Sequence, residues 1–146
     1  MSSPETFDAF YNRLMGDGGW TATPVRFENE FCQDLLEANV EAFVYVEIAG
    51  SSYDQDTMGA PQQNMWLEEG VAWLHVMVPS GRGSRLGRVY ANQLLYLFRE
   101  QPIGQLFMPR MSIGAGEPGQ DFPNYWATTA TIDWHRRDIT SVPPAS

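Results

Sequence analysis

The chain has no lysine, a single cysteine and no long apolar run. One cysteine, Cys32, excludes an internal disulfide and any thiolate metal cluster, and it fits a reducing cytosol. No stretch approaches the ~18 consecutive apolar residues that cross a bilayer, so the expectation is a soluble protein. The start, MSSPETFDAF, shows neither a basic segment nor an apolar one behind it and predicts no secretory signal. Without lysine there is no Walker loop, because that residue makes the loop's phosphate contact. A net charge of −9 leaves no basic footprint for duplex nucleic acid, which binds by releasing counterions.

What is present reads as one globular domain: 146 residues, 43% hydrophobic and 13% aromatic. A chain of this length buries roughly 68–70% of its unfolded surface. The domain is placed at 1–138, and 139–146, ending in SVPPAS, reads as a disordered tail. All nine basic residues are arginine, and their placement is uneven. Residues 1–73 carry thirteen acids against two arginines, a net of −11, whereas 74–146 carry five acids against seven arginines, a net of +2. Such a division suits a protein whose two sides meet each other.

SPETFDAFYNRLMG predicts a helix that Ser3 caps, Pro4 opens and Gly16 stops, with Phe7, Phe10, Tyr11 and Leu14 on one face. TPVRF is a short extended segment, since the residue before Pro24 is pushed out of the α region. FCQDLLEANVE is compatible with a helical turn or a structured loop. EAFVYVEIAG alternates as a half-exposed strand does, Val44, Val46 and Ile48 inward and Phe43, Tyr45 and Glu47 outward. Ser51 to Asn64 reads as a long polar loop, and MWLEEGVAWLHVMVP as a strand with Ala72, Leu74, Val76 and Val78 facing the core. Leu86, Val89, Tyr90, Leu94, Leu97 and Phe98 recur at helical spacing and predict a helix over 84–100 that Pro102 ends. GQLFMPRMSIG and YWATTATIDWHRR complete the set as strands. The order predicts an α+β fold, an antiparallel sheet of four to five strands with two main helices packed on one face.

VMVPSGRGSRLGRV, residues 76–89, has the look of a phosphate cradle, because backbone N–H groups at a glycine turn before a helix attract anions. Gly81 and Gly83 fit a dinucleotide fingerprint, but position 86 is leucine and no acid follows about twenty residues on, so a tight turn is the preferred reading. His75 and His135, with Glu47 or Asp133 as the nearest carboxylates, fall short of a metal ligand set and read as satisfied or surface histidines. No serine sits in a nucleophile elbow. The Asp54/Asp56 and Glu68/Glu69 pairs read as solvated carboxylates rather than an acid–base couple. Trp66, Trp73, Trp126 and Trp134 read as sheet packing, with one or two left as interface anchors.

Taken together, GWTATPVRFEN with Phe31 behind it, the strand EAFVYVEIAG, the stretch EEGVAWLHVMVPSGRG and a helix closing on Phe98 resemble the phage tail terminator-like family. That family's Trp-x-x-Thr-Pro-Val segment leading to an asparagine is matched by Trp20, Thr23, Pro24, Val25 and Asn29, and its Val-Pro-x-Gly-x-Gly strand end by Val78, Pro79, Gly81 and Gly83. The resemblance spans roughly residues 18 to 135, and its motifs are structural rather than catalytic. It implies a virion protein of long-tailed phages or gene transfer agents, at the tail–neck junction, assembled in the bacterial host cytoplasm. Such a subunit caps the completed tail tube as a homohexameric ring and joins the tail to the head–neck connector or stopper. The partners implied are further copies of itself, the tail tube protein and the connector, with no membrane, no sequence-specific nucleic acid, no cofactor and no enzymatic reaction. A head-side stopper or other neck protein is the alternative; a small cytosolic nucleotide-binding enzyme using the Gly81–Gly83 turn is the rival from another class.

Two sets of contact residues follow for a ring. Arg82, Arg85 and Arg88 crowd a helix start, where the helix dipole opposes positive charge, and a neighbour's Glu37, Glu41, Asp54 or Asp56 would offset it. Tyr53 and Met58 in the polar stretch are the expected apolar anchors of a projecting loop.

Overall fold

The computed structural model describes residues 3–16, 18–28, 30, 34, 42–55, 65–79, 85–101, 103, 106–115 and 125–139. The first helix, α1, covers Pro4–Met15. Ser3 is its N-cap, extended at φ −69° and ψ 158°, with its hydroxyl accepting the Thr6 N–H; Gly16 closes it by donating its N–H to the Asn12 carbonyl. Five strands and a second helix follow in the expected order: β1 Val25–Phe27, β2 Phe43–Gln55, β3 Met65–Pro79, α2 Arg85–Phe98, β4 Leu106–Ala115 and β5 Tyr125–Ile139.

The strands form one sheet in the order β1-β2-β3-β5-β4. Its class is the α+β one anticipated, but the sheet is mixed rather than antiparallel, because β1 lies parallel to β2 with Val25 opposite Val44 and Phe27 opposite Val46. A parallel neighbour cannot be reached by a tight turn, and the long acidic connection from 28 to 42 has the length such a crossover demands. The other three pairings are antiparallel.

Alternation along the strands puts Val44, Val46 and Ile48, then Ala72, Leu74, Val76 and Val78, then Ala130, Ile132 and Trp134 on one face. There they form the main core with Phe10 and Leu14 of α1 and Ala91, Leu94, Leu95 and Phe98 of α2. Both helices therefore cover the same side. Two glycines set how closely the layers approach. A Cβ on Gly70 would run into the Ala49 carbonyl oxygen and the Trp134 ring, so the indole lies over bare backbone, edge-on to Phe10. A Cβ on Gly87 would sit 2.7 Å from the Thr128 hydroxyl oxygen, so α2 rides directly on β5 there.

Several sequence expectations change. The buried stripe of α2 is Gly87, Ala91, Leu94, Leu95 and Phe98, while Leu86 stays 39% exposed. In the first turns of α2 the small residues Gly87 and Ala91 take the buried side in place of Leu86 and let the helix sit close, and the larger Leu94, Leu95 and Phe98 fill it further on. Tyr11 is more exposed than its place on the apolar face of α1 suggested, and Phe43, expected on the open side of β2, is fully buried against Met77, Tyr125 and Ala127. The stretch read as a loop from Ser51 is strand through Gln55, paired with β3 as far as Trp66; 56–64 lies outside the described residues.

Glu68 departs furthest from its reading as a solvated carboxylate. It is 2% exposed, and its oxygens accept from the Ser3 N–H at 2.6 Å and from the Ser3 and Thr6 hydroxyls at 2.7 Å each. A side chain of β3 thus completes the cap of α1, where the helix dipole favours negative charge. Glu68→Gln would turn an amide NH2 toward a donor; the expected cost is about 1–3 kcal/mol, read as a lower urea midpoint at unchanged slope.

Candidate subunit interface

Arg85 is the first residue of α2, exposed, with no acid in that helix's first turn. Among the described residues it makes no ion pair; those present join Arg26 to Asp34 at 2.9 Å and His75 to Glu47 at 3.8 Å. Arg88 lies one turn on, also exposed. Arg82, Gly81 and Gly83, with Glu37, Glu41, Asp56 and Met58, lie outside the described residues. Tyr53 and Asp54 are both exposed near the end of β2 but belong to opposite faces. Tyr53 pairs across from Glu68 on the helix side and meets the Trp66 ring edge-on, whereas Asp54 pairs across from Leu67 on the open side. Of the tryptophans, Trp134 is core and Trp126 is 41% exposed.

The two edges of the sheet differ. At β1 three outward backbone groups are taken up locally: the Phe27 N–H donates to the Glu30 carboxylate at 2.6 Å, the Glu30 N–H to the Phe27 carbonyl at 3.1 Å, and the Arg26 guanidinium to the Val25 carbonyl at 3.0 Å. An edge whose donors and acceptors are used in this way cannot template another strand. At the β4 edge the Leu106 N–H donates to the Ile103 carbonyl at 3.0 Å, and beyond it the strand is blunted by a bulge between Phe107 and Arg110 that contains Pro109. Beside it, between β4 and α2, lies a groove of about 400 Å³ walled by Leu95, Tyr96, Met108, Pro109 and Met111, with Arg99 and Glu100 at its end. Tyr96 and Phe107 stand 56% and 57% exposed along this side, Phe107 against the His135 ring and Tyr96 under the Arg99 guanidinium. Sequence reading overlooked this groove. Its one sequence signal was Pro109 inside a strand pattern, which confines that strand to an edge.

On the face opposite the helices, His75 is 7% exposed, with Nδ1 2.7 Å from the Thr129 hydroxyl and Tyr45 stacked beside it. Glu47, one of the carboxylates named from the sequence, is near its Nε2. His135 is not: it lies six residues along β5 from Thr129, roughly 20 Å away. The two histidines share no site. Among the described residues no group of three or more His, Cys, Asp or Glu side chains could hold a metal ion.

No family model and no curated protein matches the chain. Among solved structures, a protein carrying only a sequence label is similar over 97% of this chain and 99% of its own, at 20% identity and a TM-score of 0.49. That likeness carries no argument about function.

Burial lowers the His75 pKa from 6.5 to about 4, and the half-exposed Glu47 carboxylate is too well solvated to reverse it. The unfolded chain binds this proton near pH 6.5 and the folded one only near 4. Stability is therefore expected to fall by about 3 kcal/mol as the pH drops through that window, and to be flat in this contribution on either side. Urea melts between pH 7 and 4 check it: His75→Gln removes this part of the slope.

Proposed function

We propose that this chain is a structural subunit of a closed ring of the tail terminator kind, capping a completed tail tube and presenting a new surface to the head–neck connector. The observation that carries the reading is Arg85: an exposed cation at a helix start, opposed by the dipole and without an ion-pair partner among the described residues of its own subunit, in a chain whose acids are concentrated in the other half. A head-to-tail ring uses two different patches per subunit and closes when the rotation permits. The acidic first half of one copy, with Glu37 and Glu41 leading into β2, then faces the arginines of the next. The motif residues Trp20, Thr23, Pro24 and Val25 support the same reading by their place: Trp20 donates to the Thr23 hydroxyl at 2.8 Å, packs edge-on to Tyr90 of α2 and leads into β1.

Ring formation on purified tail tubes, followed by electron microscopy, tests this. Wild-type protein is expected to give a closed ring of six at the tube end, and a single copy at the neck would overturn the reading. Arg85→Glu is expected to weaken assembly about three- to fivefold at low salt and less at high salt, since ions already screen the attraction there. Tight nucleotide binding to the wild type, abolished by that substitution, would favour the enzyme reading instead.

A further inference from the structure

We propose that the groove between β4 and α2 receives the far end of the β2–β3 pair of a second copy of this chain, with Tyr53 as the inserted side chain; this rests on the ring reading above. The pairing registers place Tyr53, Glu68, Arg136 and Leu106 on one row across the sheet, and Ser52, Glu69, His135 and Phe107 on the next. Each row thus begins on the β2 side and ends on the β4 side. Three successive antiparallel pairings make β2 and β4 run in opposite directions. Rotation about an axis along the strands preserves both direction and level, so in a ring of that kind the row of one copy runs on into the same row of the next. Tyr53 then arrives at the Leu106 end of the neighbouring sheet, where the groove opens.

The faces agree as well as the levels. Tyr53 and Trp66 lie on the helix-bearing side, and so do the groove walls Met108 and Met111, which pack against the helix-side core. β1 does not stand in the way, because it borders only Val44 to Val46. The seam brings together two bulges, Gly50/Ser52 in β2 and Phe107/Arg110 in β4, so side chains make the contact and the hydrogen-bond ladder does not continue across it. A tyrosine suits the site, with an apolar ring for the groove and a hydroxyl left for its rim.

The test uses the full chain with Cys32→Ser, free at high concentration and on purified tail tubes. Ser52→Cys and Phe107→Cys in one chain are expected to give a ladder of covalent oligomers on mild oxidation, and neither substitution alone should do so. Tyr53→Ala, with an unchanged melting temperature, is expected to weaken assembly at least about tenfold, as loss of a buried aromatic anchor does. A ring without the ladder, unaffected by Tyr53→Ala, overturns this contact and leaves the ring reading standing. Covalent dimers from Phe107→Cys alone overturn it in favour of a two-fold β4 contact. Protein that stays monomeric in both settings overturns the contact and the ring together.

Discussion

Glu68 occupies a position that few carboxylates tolerate, buried beneath the start of α1, and the arrangement of that helix depends on how it is satisfied. Its three donors all come from the first residues of α1, whose own backbone donors are orphaned at a helix start. Each side meets the other's need. At the far end of the helix the Arg13 Nε donates to the Leu97 carbonyl at 2.6 Å, which ties α1 to the last turn of α2. Pinned at both ends, α1 brings Phe10 over Trp134 and against Phe98, and the main core closes. A side chain that stops being polar at Glu68 would therefore disturb the position of a helix, not merely a surface contact.

The same economy governs the edges of the sheet. A three-residue strand at β1 buries Val25 and Phe27 and spends its outward groups on Arg26 and Glu30, so that edge is closed by its own sequence. At β4 the Leu106 N–H turns to the Ile103 carbonyl, and a bulge and a proline then disrupt pairing beside apolar side chains and a groove. Blocking strand addition while exposing a side-chain socket is what a partner chosen by shape requires.

Most of the element order was legible because periodicity speaks directly to it. Val44, Val46 and Ile48 alternate, and Leu94 and Phe98 recur at helical spacing. What periodicity cannot show is a relation between distant elements. The parallel pairing of β1 depended on a crossover, the burial of Glu68 on a helix more than sixty residues away, and the phase of α2 on Thr128 beneath Gly87. Leu86 reads as core by type and Gly87 as punctuation, yet the closeness of the sheet reverses the two. For the candidate contact surface, Arg85, Tyr53 and Asp54 were identifiable as exposed polar or amphipathic positions. The groove was not, since Leu95 and Met108 come together only when β4 packs beside α2.

These relations bear on the glycine turn as well. A phosphate cradle needs backbone N–H groups free at a helix start and positive charge converging on them. At the start of α2 the positive charge is present, but position 86, where a dinucleotide fingerprint needs glycine, is leucine, and the neighbouring Gly87 is buried against β5, where any side chain would collide with Thr128. Its smallness is spent on packing. Arg85, exposed at the head of α2 and without an ion pair among the described residues, carries its charge on a helix seated directly on β5, and a charge held outward in that way is what complementary surfaces use.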